Sequence, residues 1–233
     1  MSRVNRAADA ADDVLRISMD AKATVKLGPF SRRGRGRVPV TAADHDFQPV
    51  GTVTPVGILL PALDELFLYA VTSRVTSDCP VDRLEQWWEA VRDRFARITT
   101  PVLNLDNGPE NHSHRTQFVA RLAQFATDYG VTVRLAYYPP YHSKYNPVER
   151  CWGILEQRWT GSLLDALDTV LHFAATMTWK GMRPSVALVT TTYERGVTLP
   201  KQAMVALEAR LIRHPALGKW FIDILPAPTL RDS

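Results

Sequence analysis

The chain is poor in cysteine and has no long apolar run, and each shortage removes a class of protein. Its two cysteines, Cys79 and Cys151, form no C-x-x-C pair and have no histidine at ligand spacing, so neither a disulfide framework nor a structural zinc site is encoded. No stretch approaches the roughly 20 apolar residues that a membrane-spanning helix needs, and the N-terminus lacks the basic, apolar, small-residue order of a secretion signal. A cytoplasmic protein with no membrane association is the expectation. Charge of one sign is not in large excess either: 28 Lys and Arg against 24 Asp and Glu leave +4 at neutral pH, with a sequence pI near 9.2. The basic charge is nonetheless concentrated. In S-R-R-G-R-G-R, Arg32, Arg33, Arg35 and Arg37 are interleaved with glycine and no apolar period is visible. This reads as a flexible basic loop, solvated by default and suited to nucleic-acid phosphates.

What is present is ordinary globular material: 45% of the 233 residues are hydrophobic and 22% charged, enough for one large domain with an appendage. Residues 1–13 are polar and Ala-rich and read as a tail. From Val14 the pattern alternates, with Leu15, Ile17 and Met19 on one face and Arg16, Ser18 and Asp20 on the other, so Asp20 closes a strand on its polar side. The D-H-D-F run at Asp44 to Phe47 reads as a turn. Val53 to Leu60 and Leu66 to Val71 form an antiparallel pair of strands. Asp78 and Pro80 announce a helix whose stripe of Val81, Leu84, Trp87, Trp88, Val91, Phe95 and Ile98 makes the tryptophan pair core.

Val102 to Asn107 is the next strand, with Leu103 and Leu105 opposite Asn104 and Asp106. Asn107-Gly108-Pro109 ends it and leaves Asp106 at its C-terminal edge, on the same parity as Asp20. A helix follows, striped by Phe118, Val119, Leu122, Phe125, Ala126 and Tyr129 and capped by Gly130, and then a strand from Val131 to Tyr137. Asn146 and Pro147 start a further helix. Its buried stripe is Val148, Cys151, Trp152, Leu155 and Trp159, which leaves Glu149 free in the first turn. Glu149 also suits half of a capping box, so its position has a structural reading beside a catalytic one.

The order of elements predicts an α/β fold: a mixed sheet of three antiparallel and then two parallel strands, flanked by helices, over residues 14–162. Residues 163–233 read as a mainly helical C-terminal extension. Ligands of such sheets gather outside the carboxyl ends of the strands. Asp20, Asp106 and Glu149 are therefore expected together at one sheet edge, a donor set for hard divalent cations, Mg²⁺ before Zn²⁺. Two ions about 4 Å apart at such a site suit in-line phosphodiester displacement. Lys22, Lys26, His142, Lys144 and Arg150 join the arginine loop as candidate phosphate contacts, and Tyr137, Tyr138 and Tyr141 as contacts to sugars or bases.

Five stretches carry a resemblance: M-D-A-K-A-T-V-K-L-G from Met19, D-H-D-F from Asp44, the pair at Trp87, L-D-N-G-P-E-N-H from Leu105, and Y-P-P-Y-H-S-K-Y-N-P-V-E-R from Tyr138. With them the chain resembles the catalytic domain of bacterial insertion-sequence transposases of the DDE type, in the group called Rhodopirellula-type and more distantly mariner-like. The resemblance runs from about Ile17 onward. It implies an RNase H-like fold and a metal-binding triad of Asp20, Asp106 and Glu149 using two Mg²⁺ ions, with Mn²⁺ able to substitute. It further implies DNA cleavage and strand transfer at insertion-sequence ends, with double-stranded DNA, both ends and target, as partner and a homo-oligomer on that DNA. Such transposases carry an N-terminal helix-turn-helix region that recognises the ends, and the sequence predicts that this chain lacks it. Two other readings share these residues: an RNase H-like nuclease that cuts without joining, and a non-catalytic DNA-binding relic that regulates a full-length transposase.

Overall fold

The computed structural model describes residues 1–30, 48–106, 108, 110–139, 145–194 and 199–228. In chain order the elements are α1 (Ser2–Ala10), β1 (Val14–Ala21), β2 (Val25–Leu27), β3 (Gly51–Leu60), β4 (Glu65–Val71) and α2 (Asp78–Val91). They continue with β5 (Thr100–Leu105), α3 (Thr116–Tyr129), β6 (Val133–Tyr137), α4 (Pro147–Trp159) and α5 (Leu167–Thr176), and end with β7 (Ser185–Val189), α6 (Lys201–Glu208), β8 (Leu211–Arg213) and β9 (Phe221–Ile224). The fold is α/β with a mixed parallel and antiparallel sheet flanked by helices. It divides into two compact units, one of Met1–Ser18, Thr76–Asn146 and Glu194–Ser233, the other of Met19–Val75 and Pro147–Tyr193.

In the first unit the first residues of β1 pair in parallel with β5, from Val14↔Thr100 to Ser18↔Asn104. β5 pairs in parallel with β6 from Val102↔Arg134 to Leu105↔Tyr137. The sheet continues with β9 antiparallel to β6 and β8 antiparallel to β9. Trp87 and Trp88 of α2 are buried, and Trp88 meets Phe125 and Tyr129 of α3 edge-on, so the tryptophan pair is core, as its spacing indicates. Arg121 of α3 reaches Asp78, Asp82 and Glu85 of α2 at 2.8–3.1 Å. α3 ends where its sequence says: Gly130 takes the left-handed φ of 64° that a side chain resists. α2 stops earlier than its stripe suggests, at Val91, and a 3₁₀ turn carries Arg92–Phe95.

The second unit is built on an antiparallel hairpin. β3 pairs with β4 from Thr54↔Val71 to Leu60↔Glu65, and Asp64 supplies the positive φ of its turn. β2 lies antiparallel to the start of β3, and β7 parallel to β4. Just beyond β1, the Lys22 N–H donates to the Pro55 carbonyl of β3. α4 and α5 cover these strands with one apolar cluster that includes Leu59, Leu68, Val148, Trp152, Leu155, Trp159, Val170 and Met177.

The five expected strands are all present as β1, β3, β4, β5 and β6. Two expectations need correction. Residues 163–233 hold α5 and α6 but also β7, β8 and β9, so "mainly helical" was too narrow. Strands of three to five residues carry too few alternations to stand out against neighbouring helical periods. Residues 1–13 are not merely a tail: α1 packs Met1 and Ala8 with Val102 and Ala136, and its Asp9 holds Arg16 through two bonds of 2.6 and 2.7 Å. Its Asn5 accepts from the buried Asn104 at 3.2 Å. The packed face of this helix includes the polar Asn5 and Asp9, so no apolar period marks it in the sequence.

Candidate active site

Asp20 is the penultimate residue of β1 and half-exposed. Its Oδ2 accepts a 2.5 Å hydrogen bond from the indole Nε1–H of Trp152, which lies one turn beyond Glu149 on α4. That helix spans Pro147–Trp159, and its buried residues are Val148, Cys151, Trp152, Leu155 and Trp159, the stripe and the start that the sequence predicts. Glu149 sits partly exposed in the first turn, where a carboxylate opposes the positive end of the helix dipole. Asn146, just before the helix, is fully buried and its Oδ1 accepts a hydrogen bond from Ser18 Oγ.

Two turns on from Glu149, Glu156 is engaged on both oxygens. Lys22 Nζ stands 2.5 Å from Oε1, and Trp159 Nε1 donates to Oε2 at 2.7 Å. Lys22 is thereby committed to an ion pair, with its ammonium 5.9 Å from the Trp159 ring centre. Lys26 is exposed with its ammonium 5.7 Å from the Phe30 ring centre, and Arg150 is exposed on α4.

In the first unit Asp106 follows β5 directly. Its Oδ1 accepts from Gly108 N–H at 3.1 Å and from Asn111 Nδ2 at 3.0 Å. A Cβ at Gly108 would stand 3.1 Å from Asp106 Oδ2, so the glycine leaves room for the carboxylate. The Asn111 side-chain oxygen is buried with no hydrogen-bond partner, and its backbone oxygen accepts from Tyr137 Oη at 2.7 Å. Burial, and then the charge of Asp106, push the Tyr137 phenol above its ordinary range, so it stays a protonated donor that braces the loop.

Among the described residues no three His, Cys, Asp or Glu side chains form a ready metal cluster. The chemistry of the available donors fits a hard cation all the same. Asp106 is held through one oxygen beside an unpartnered amide oxygen, and oxygen donors of this kind suit Mg²⁺ or Mn²⁺ rather than softer metals. Arg32, Arg33, Arg35, Arg37, His142, Lys144 and the run at Asp44 lie outside the described residues.

The sequence reading missed Trp152 as a hydrogen-bond donor and Gly108, Asn111 and Tyr137 as the cradle of Asp106. The spacing D-x-G-x-x-N contained the second signal: a glycine two residues on allows an N–H to turn back onto the carboxylate.

Residues 1–226 match the family described as "Rhodopirellula transposase DDE domain". No curated protein matches the chain. Among solved structures, the Mos1 transposase in its paired-end complex with the left transposon end is similar in fold, with a TM-score of 0.50 and 12% identity over 72% of this chain. The match spans 48% of the Mos1 chain. No helix among the described residues is long and apolar enough to cross a membrane.

Proposed function

From the premise that this chain belongs to the Rhodopirellula transposase DDE domain family, we propose that it cuts insertion-sequence ends and joins them to target DNA by metal-dependent phosphoryl transfer. Asp20, Asp106 and Glu149 are the proposed metal-binding triad. The observation that carries this reading is one of register. Ser18 and Asn104 are the last paired residues of two parallel strands, and Asp20 and Asp106 each come two residues later, on the same parity. Glu149 opens the helix whose Trp152 binds Asp20.

A pair of Mg²⁺ or Mn²⁺ ions, when bound, would polarise the attacking oxygen and neutralise charge on the leaving one. The protein's own share is placement. Gly108 and Asn111 hold Asp106 in one orientation, so its second oxygen, Oδ2, is directed without reorganisation. In cleavage, a water oxygen bonds to the phosphorus as the phosphorus–O3′ bond breaks, the water gives up a proton to solvent, and the departing oxygen takes up a proton as a 3′-hydroxyl. In joining, a DNA 3′-hydroxyl takes the place of water. Lys26 and Arg150, with Arg32, Arg33, Arg35, Arg37, His142 and Lys144, are the proposed contacts to the phosphates of double-stranded DNA. Lys22 belongs to this set only if its pair with Glu156 opens. A homo-oligomer on DNA is part of the same proposal.

The test is Mg²⁺-dependent nicking and joining of a plasmid that carries the element ends. Asp106→Asn should abolish both while thermal melting and metal-free DNA binding stay as in the wild type. Unchanged cleavage by that variant would sink the assignment. Nicking without joined products would leave the nuclease reading in its place.

A further inference from the structure

Trp152 does more than fill the core. It is 7% exposed on the buried stripe of α4, yet its Nε1–H reaches out to Asp20 Oδ2 at 2.5 Å. The buried indole of Trp179 shows that such a bond is not automatic: its Nε1 has no hydrogen-bond partner among the described residues. The strand beneath is shaped for the contact. β3 reads V-G-I-L-L from Val56, buried throughout and bulky except at Gly57, where a Cβ would stand 2.7 Å from Trp152 Cη2 and 2.8 Å from Val148 Cγ2. A glycine inside a strand weakens it and marks a close approach of another group. Here the approaching group is the indole, lowered far enough onto the strand for its N–H to meet the carboxylate.

We propose that Trp152 is a positioning residue for metal binding by this chain: its indole N–H fixes the Asp20 carboxylate and ties the end of β1 to the helix that carries Glu149. Trp152 is three residues from Glu149, one helical turn away on neighbouring positions, so one rigid turn sets both groups. The inference rests on the reading of Asp20 and Glu149 as metal ligands. Partners that orient a ligating carboxylate typically contribute 10–100-fold in metal affinity, and that is the effect assigned to this bond.

The experiment uses the full chain and Mn²⁺ alone. Trp152→Phe keeps an aromatic ring in the slot and deletes the donor. Calorimetric titration should show the Mn²⁺ dissociation constant raised about tenfold or more, with cooperative melting and metal-free binding to duplex DNA retained. Gly57→Ala, which closes the slot and leaves Trp152 in the sequence, should move the affinity the same way and decides the matter if Trp152→Phe does not fold. A second readout needs no metal: Asp20→Asn should shift the indole N–H resonance of Trp152 and leave those of Trp87 and Trp179 in place. Wild-type Mn²⁺ affinity in the folded Phe variant, or an unmoved indole resonance, would overturn the positioning role and leave the carboxylates as ligands. Equal Mn²⁺ binding by wild type and Asp20→Asn would instead overturn the ligand reading, and the positioning role with it.

Discussion

Lys22 Nζ lies 2.5 Å from Glu156 Oε1, and the other oxygen of that carboxylate accepts from Trp159. Two acidic residues on one helix are thereby given different work. Glu149 opens α4 in its first turn, whereas Glu156 is neutralised by a lysine whose side chain is only 11% exposed. A carboxylate already compensated by an ammonium has less reason to attract a cation.

The pair Glu149→Gln and Glu156→Gln should therefore separate cleanly. The first substitution keeps a side chain able to cap the helix but removes the charge, and cleavage should be lost with melting nearly unchanged. The second should leave cleavage within a fewfold of wild type and lower stability by no more than about 1 kcal/mol, the usual scale of a partly exposed ion pair. Plasmid nicking with thermal melting measures both. Cleavage surviving in Glu149→Gln and lost in Glu156→Gln would reverse the assignment.

The thiols offer a check on packing that is independent of any activity. Cys79 and Cys151 are both buried thiols that take part in no disulfide, and burial pushes the Cys151 thiol up to about 12. At pH 8 the thiolate is then a negligible fraction, and reaction with a disulfide reagent has to wait for opening of the fold. Both cysteines should react about a hundredfold or more slowly in the native protein than in denaturant. A rapid reaction of one thiol at pH 8 would show that α2 or α4 is not packed as described.

Much of this architecture is legible in the sequence because its elements are long and regular. α4 could be started at Pro147 and its buried face named since Asn-Pro marks the start and five apolar residues recur on one face. The ends of β1 and β5 could be placed because alternation runs up to Asp20 and Asp106. Periodicity reports a face and not a bond, however. It put Trp152 among the buried residues and gave no sign of the hydrogen bond to Asp20. It also failed where a buried face is polar, as in α1, whose Asn5 and Asp9 meet Asn104 and Arg16, and in β9, whose Asp223 holds Arg134 at 2.7 Å. There the information lies in which polar groups match, and matching appears only once the strands are side by side.

The strands β8 and β9 belong to the structure, and Arg210 tests that. Its guanidinium donates to the Leu225 carbonyl at 2.7 Å, to Ala123 O at 2.6 Å and to Thr127 Oγ1 at 2.7 Å, joining the segment after β9 to the last turns of α3. Arg210→Ala strands these acceptors and should cost about 1–3 kcal/mol, a fall in melting temperature of roughly 2–4 °C for each kcal/mol in a chain of this size. Arg210→Lys should recover only part of it, because an ammonium lacks the planar fork that serves several acceptors. An unchanged melting temperature in the Ala variant would mean that the C-terminal strands are not integral to the fold.

Gly108 makes the sharpest demand on the Asp106 loop. An added methyl would lie 3.1 Å from Asp106 Oδ2 and 3.2 Å from Oδ1, so either the carboxylate or the loop must yield by a few tenths of an ångström. The loop is braced by the bond from Tyr137 Oη to the Asn111 carbonyl, and Tyr137 is fully buried, so the carboxylate is the freer of the two. Displacements below an ångström at a reacting centre can cost up to about a hundredfold in rate. Gly108→Ala should therefore lower Mg²⁺-dependent nicking by about 10–100-fold while the melting temperature moves by only a degree or two. Asn111→Ala removes one of the two hydrogen bonds on Asp106 and should reduce nicking in the same direction without adding bulk. Wild-type rates in both variants would show that the orientation of Asp106 does not limit cleavage. A large loss of melting temperature in Gly108→Ala would show instead that the glycine serves the loop rather than the carboxylate.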